Sequence, residues 1–137
     1  MGVILDSSIL IAGERRKESL AAILERVEAA CGKTTAALSA VTAVELTHGI
    51  YRAKEETGRL RRQAFVEEIF QTVAVYPLTL EVARLAGRIH AEQMGRGNSL
   101  DFPDLLIGAT ALHLAFDLVT HNLKHFRAIP GLKVMSF

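Results

Sequence analysis

Acidic residues far apart in the chain fall where a fold could gather them. Asp6 arrives directly after the apolar run Val3-Ile4-Leu5, Glu45 follows the short run ending at Ser39, and Asp104 opens the apolar segment that precedes the run Asp117 to Thr120. Asn122 stands just beyond that last run. Together they would supply three carboxylates and one amide oxygen, a donor set that suits a hard cation. Magnesium and manganese prefer carboxylate, carbonyl and water oxygens and commonly keep several waters. Without a cation, two carboxylates about 4 Å apart repel by roughly 4 kcal/mol at a surface-like dielectric, so a tight group must take up protons or bind metal. A divalent ion at such a place lowers the pKa of a bound water, polarises a phosphoryl oxygen and neutralises charge on a leaving oxygen. That is the chemistry of phosphodiester hydrolysis.

Each of these residues also has a local explanation. Asp6 suits the N-cap of a short helix Ser7 to Ala12, and Thr42-Ala-Val-Glu45 has the spacing of a capping box. Asp101 and Asp104 suit the start of the next helix, and Asn122 the cap of a turn Leu123 to Phe126. Caps are worth about 1 kcal/mol apiece, yet capping does not require them all to lie at one edge of a sheet. On the residues alone, both readings stand.

The elements that must position these residues are legible from periodicity. Gly2 to Leu5, Ala36 to Ser39, Val73 to Tyr76, Asp117 to Thr120 and Lys133 to Met135 have strand length. Ser19 to Ala30, Ala43 to Lys54, Arg59 to Phe70, Glu81 to Met94 and Pro103 to Ala115 carry apolar residues at helical spacing, with Thr42 and Thr79 placed as N-caps. Strands alternating with helices predict an α/β fold with a mainly parallel sheet of about five strands, because parallel strands need long crossovers. Ligands of such sheets bind beyond the carboxyl ends of the strands. Asp6, Glu45, Asp104 and Asn122 all map to that edge.

Composition narrows the function classes. The chain has 137 residues, 50% of them hydrophobic, and no internal repeat or linker, so a single domain over 1–137 is expected. Its longest apolar stretch, Leu105 to Phe116, is too short for a bilayer crossing and holds Gly108 and His113. The N-terminus lacks a basic n-region, which places the expected location in the cytoplasm. One cysteine, Cys31, makes neither an internal disulfide nor a thiolate zinc site. A net charge of +1 gives no overall field for nucleic acid, so any such contact is local, with Arg52, Lys54, Arg59, Arg61 and Arg62 clustered and Lys124, Arg127 and Lys133 nearer the C-terminus. No HExxH accompanies the spacing of His121 and His125, and no P-loop or nucleophile elbow occurs. With eight aromatics and no tryptophan, RNA contact would rest on backbone and shape, with Tyr51 or Phe102 contributing.

Four blocks carry a family resemblance. Val3-Ile-Leu-Asp-Ser-Ser-Ile-Leu-Ile-Ala12, Leu38-Ser-Ala-Val-Thr-Ala-Val-Glu-Leu-Thr-His-Gly-Ile-Tyr-Arg-Ala53, Asp104-Leu-Leu-Ile-Gly-Ala-Thr-Ala111 and Leu118 to Val134 resemble PIN domains in order and spacing, and within them VapC-type toxins. The resemblance implies a PIN-like three-layer α/β/α sandwich and an endoribonuclease dependent on Mg²⁺ or Mn²⁺. It further implies a prokaryotic toxin, a VapB-like antitoxin partner and a homodimer. By matching position, the metal-binding and catalytic acids would be Asp6, Glu45 and Asp104. The family's fourth acidic position falls on Asn122, which puts a second metal in doubt; Asp101, on the same helical face as Asp104, is the residue that would compensate. Ser8 and Thr120 match positions where a hydroxyl would hold Asp6 or a water. The helices Ala43 to Lys54 and Arg59 to Phe70, with Ile50, Leu60, Phe65 and Ile69 and with Arg61 and Arg62 on the flank, form either an antitoxin groove or an internal pair. The missing acid motivates a rival reading, a PIN-like module that binds RNA or a partner with little or no cleavage. A phosphatase of small molecules is the second rival.

Overall fold

A strand buried at all four positions lies at the centre of the protein: β1 (Gly2–Leu5). The computed structural model describes all residues, Met1 to Phe137. After β1 come α1 (Ser7–Arg15), α2 (Leu20–Cys31), β2 (Thr35–Ser39), α3 (Ala40–Arg52), α4 (Glu56–Thr72) and β3 (Ala74–Tyr76). They are followed by α5 (Leu80–Gly95), α6 (Phe102–Leu114), β4 (Asp117–Val119), α7 (Leu123–Phe126) and β5 (Val134–Met135). The strands form one sheet in the order β3-β2-β1-β4-β5. Every pairing is parallel.

Alternation along the strands builds a core on each face. Val3, Leu5, Leu38 and Val119 point into one cluster with Ile9, Leu10, Ile23, Leu46, Ile50 and Ile69 from α1 to α4. Ile4, Ala37 and Leu118 point the other way, onto Val82, Ile89, Leu105, Ile107 and Phe126 from α5 to α7. This is the expected α/β/α sandwich, and all five strands fall where the apolar runs placed them. No helix is long and apolar enough to cross a membrane.

Three boundaries differ by three residues from those expected: α1 runs on to Arg15 rather than Ala12, α4 starts at Glu56 rather than Arg59, and the start of α3 moves as well. α3 begins at Ala40, three residues before the expected Ala43, because the Ser39 hydroxyl at the end of β2 accepts the Val41 N–H at 3.1 Å and caps the helix. Thr42 is therefore a fully buried helix residue whose Oγ1 has no partner, and the Thr42/Glu45 capping box does not form. Thr79 caps α5 as expected, accepting the Val82 N–H at 3.2 Å.

Two features fix the sheet edge that matters. The chain leaves β1 toward β2 and β3 and returns on β1's other side as β4 and β5, so β1 and β4 adjoin at the point where strand order reverses. Leu5 pairs with Val119 there, and the Asp6 N–H extends the ladder to the Val119 carbonyl at 2.9 Å. On the far side of β4, α6 lies close to the segment after α7: a Cβ on Gly108 would sit 2.4 Å from Ile129 Cδ1. Phe126, fully buried, anchors α7 in the same core. Phe126→Ala should cost about 3–5 kcal/mol of stability, read as a lower urea midpoint, as expected for an aromatic deleted from a close-packed core. A loss under 1 kcal/mol would show that α7 is not anchored this way.

Candidate functional site

Asp6 leaves β1 at the reversal point and is 4% exposed. Its Oδ2 accepts hydrogen bonds from the hydroxyls of Ser8 and Thr120, both at 2.8 Å. The Ser8 oxygen in turn accepts the His121 N–H at 3.1 Å, and the Thr120 oxygen accepts the Asn122 N–H at 2.9 Å. Each hydroxyl thus takes a backbone proton and gives its own to the carboxylate, which fixes the donor direction and the orientation of the Asp6 side chain. The bonds tie the end of β1 to the end of β4.

Glu45 and Asp104 border the same cleft, an opening of about 560 Å³ also lined by Asp6, Asp101, Asn122, Lys124 and His125. Glu45 reaches it from α3; its Oε1 is buried without a hydrogen-bond partner. Its pKa is raised, first by burial, with the Ser7 hydroxyl offsetting part and the charges of Asp6, Asp104 and Asp101 adding to the rise. Asp104, in the first turn of α6, has its carboxyl pushed up to about 6 by burial and then by the charges of Asp101 and Asp6; His125 opposes the rise. The His125 Nδ1 lies 3.2 Å from Asp104 Oδ2.

Asp6, Asp101 and Asn122 do occupy the N-cap positions of α1, α6 and α7, yet none of their side chains accepts a cap hydrogen bond. Ser19, Ser39 and Thr79 cap their helices with hydroxyls. The Asp6 and Asp101 carboxylates and the Asn122 amide are thus not used as caps.

No three Asp, Glu, His or Cys side chains form a group that could by itself hold a metal ion. The acids border the cleft without forming a closed set of protein ligands. That donor chemistry fits a hard divalent cation held through one or two carboxylates and water, and not a zinc cage. The unpartnered Glu45 oxygen and the crowded Asp104 point the same way, since both gain from a nearby positive charge.

His121 and His125 do not share a helix face, because only His125 lies in α7. His121 packs edge-on against Phe137 with centroids 5.7 Å apart. Sequence reasoning missed the His125–Asp104 contact and the basic residues Arg15 and Arg16, which lie close to Ser7, Ser8 and Asn122. The expected groove resolves in two parts. Ile50 and Ile69 belong to the core, whereas Phe65, Arg52, Arg62 and His48 line a hollow of about 360 Å³ between α1, α3 and α4 that ends at Glu45. Arg62 spans it, donating to Glu14 at 3.1 Å and to the Gly49 carbonyl at 3.2 Å. Tyr51 and Phe102 are both exposed.

Comparison with known proteins gives consistent findings. The model of the PIN domain matches residues 3–132. The chain is 31% identical to Ribonuclease VapC1 of Rickettsia felis over 136 residues, spanning 99% of this chain and 96% of that protein. It is 32% identical to Ribonuclease VapC of Rickettsia bellii, with the same coverage. Among solved structures, DNA-bound VapBC from Salmonella typhimurium superposes with a TM-score of 0.84 at 25% identity, covering 99% of this chain and 98% of that one. VapBC2 from Rickettsia felis bound to a promoter DNA fragment gives a TM-score of 0.86 at 21% identity over 100% and 99% of the chains, a likeness of fold.

The crowding around Asp104 has a consequence that needs no substrate. A carboxyl whose pKa rises on folding, here from 3.8 to about 6, disfavours the folded state when charged; that penalty is absent below the lower value and complete above the upper one. Asp104→Asn should therefore raise the melting temperature of metal-free protein near pH 7.5 by about 2–6 °C, with the gain shrinking toward pH 5. Scanning calorimetry at the two pH values checks this, and a gain that is equal at both, or a fall, contradicts it.

Proposed function

The chain belongs to the PIN-domain family, and from that premise we propose that it is a VapC-type endoribonuclease, the toxin of a VapBC-like pair, which cuts RNA with the help of Mg²⁺ or Mn²⁺. The observation that carries the reading is the cleft itself, in which Asp6, Glu45 and Asp104 from three distant segments face one opening with oxygen donors. The similarity to proteins named ribonuclease VapC, over nearly the whole chain, supports RNA as the substrate.

Asp6, Glu45 and Asp104 are the residues that would hold the ion, one or two of them directly and the others through water, with Asp101 as an auxiliary acid. When bound, a divalent ion supplies Lewis acidity to the phosphodiester and lowers the pKa of water. The chain's own groups do the rest. Ser8 and Thr120 keep Asp6 aimed by donating to one of its oxygens. Lys124 and His125 bring positive charge into a cleft whose carboxylates would otherwise repel a phosphate. Asn122 offers a neutral amide that can donate to a phosphate oxygen or orient a water, where an acid would add only acceptors. In the reaction water forms the new O–P bond, the bond to the ribose oxygen breaks, and the water's proton ends on the leaving oxygen.

The antitoxin partner follows from the likeness to VapBC complexes. The hollow between α1, α3 and α4 suits an apolar segment with an acidic residue, for it joins Phe65 and Leu46 to Arg52. A homodimer and a cytoplasmic site of action in a prokaryotic cell complete the proposal. The non-cutting alternative keeps one point in its favour, the amide of Asn122 in place of a fourth acid.

Asp6→Asn separates these readings, because an amide oxygen can still accept from Ser8 and Thr120 while the charge is lost. With Mg²⁺ or Mn²⁺ the wild-type chain should cut RNA, and the variant should lose at least about 100-fold in rate, the scale on which electrostatic groups at a reacting phosphate act. Its melting temperature should stay within a few degrees. Equal cleavage by both proteins would remove Asp6 from the site, and no cleavage by wild type would favour the binding module.

A further inference from the structure

Beside the acidic cleft lies a second opening of about 520 Å³ with the opposite character. Its wall contains no acid; Arg15 and Arg16 supply its charge, and His121 and Ser8 are among its polar groups. Ser7 and Asn122 belong to both openings, so a chain leaving the cleft passes directly from carboxylates to guanidinium groups. We infer that this opening is a subsite for the backbone of the RNA strand, in which Arg15 and Arg16 hold a phosphate neighbouring the linkage that is cut. The inference rests on the nuclease reading and adds to it a place for the substrate strand.

The ion pairs around α1 support it. Glu14 is taken by Arg62, and Glu18 by Arg16 and Arg26 together. Arg15, between these paired residues, has no carboxylate partner and is exposed. Arg16 donates to Glu18 through Nε at 2.9 Å, which leaves its terminal nitrogens available. With two guanidinium groups on one Glu18 carboxylate, the cluster keeps a net positive charge. A guanidinium fork with unused donors matches phosphate oxygens. Hydrophobic lining is limited to Ile11 and Ala12, which favours a hydrated phosphate over an apolar protein segment; the hollow containing Phe65 and Leu46 has the lining for the latter.

The test measures binding of a mixed-sequence single-stranded RNA by fluorescence anisotropy across a salt series. Arg15→Ala and Arg16→Ala are each placed in the Asp6→Asn background so that the probe is not consumed, and wild-type cleavage of the same RNA is followed in parallel. Each arginine that neutralises one phosphate contributes about 0.7 to the slope of log affinity against log salt on a single strand. Each variant should lose about that much, a weakening of about fivefold at 0.1 M salt relative to 1 M. Arg84→Ala, at an exposed position of α5, should leave the slope unchanged. If wild type cuts the RNA but the slopes of Arg15→Ala and Arg16→Ala match the parent, the subsite is wrong and the nuclease reading survives. Unchanged RNA slopes together with weakened binding of a VapB-like antitoxin would reassign the arginines to the protein partner and overturn the inference. If wild type neither binds nor cuts RNA, both readings fall.

Discussion

Like charge forced together at one sheet edge is the constraint around which the rest of the protein is arranged. Asp6, Glu45, Asp101 and Asp104 face a single cleft, and the only basic residues lining it are Lys124 and His125. The carboxyls of Glu45 and Asp104 are both raised, first by burial and then by the charges of neighbouring carboxylates. A fold under no functional demand would relieve this by exposing the acids or using them as caps. Here capping is given to serine and threonine hydroxyls, and the carboxylates at cap positions are left unspent. The arrangement is favourable once a cation or proton is present, and that couples the electrostatics of the site to its chemistry.

The same edge shows how the fold transmits order to the site. Parallel pairing of β1 with β4 sets Leu5 beside Val119, and the next residues, Asp6 and Thr120, are then close enough for a 2.8 Å hydrogen bond. Ser8, one step into α1, completes the grip on the same oxygen. Rigid strands, and not loops, thus position the most buried carboxylate. Phe126 and Ile129 hold the segment after β4 in the opposite core, so packing far from the cleft bears on Asn122, Lys124 and His125. Charge then inverts across Ser7 and Asn122, from acids to Arg15 and Arg16, which gives a polyanionic strand a path rather than a point of contact.

Much of this was legible in the sequence because it depends on strand order and period. The run Val3-Ile4-Leu5 has the length of a buried strand, and a charge immediately after such a strand lies at its carboxyl edge. Asp104 was readable for the same reason, as the start of an apolar helix leading into β4. Glu45 was read in the right helix with the wrong first turn, since Ser39 rather than Thr42 caps α3. Local capping rules cannot choose between two hydroxyls three residues apart; burial of Thr42 in the core made the choice. Ser8 and Thr120 matched positions where a hydroxyl would hold Asp6, and both donate to it; that they share one of its oxygens appears only when residues 112 positions apart meet. The His125–Asp104 contact and the Arg15–Arg16 opening were invisible for that reason too: both depend on side-chain direction across elements, which spacing along the chain does not encode.

Calorimetric titration of Mn²⁺ into the metal-free full chain decides whether the cleft takes up a hard cation. Near pH 7.5 the account predicts saturable uptake; near pH 5.5 it predicts weaker uptake accompanied by release of protons, seen as heats that differ between buffers, because the ion must displace a proton from a carboxyl titrating at about 6. Absence of uptake at both pH values, or uptake that Asp6→Asn leaves unchanged, would contradict it.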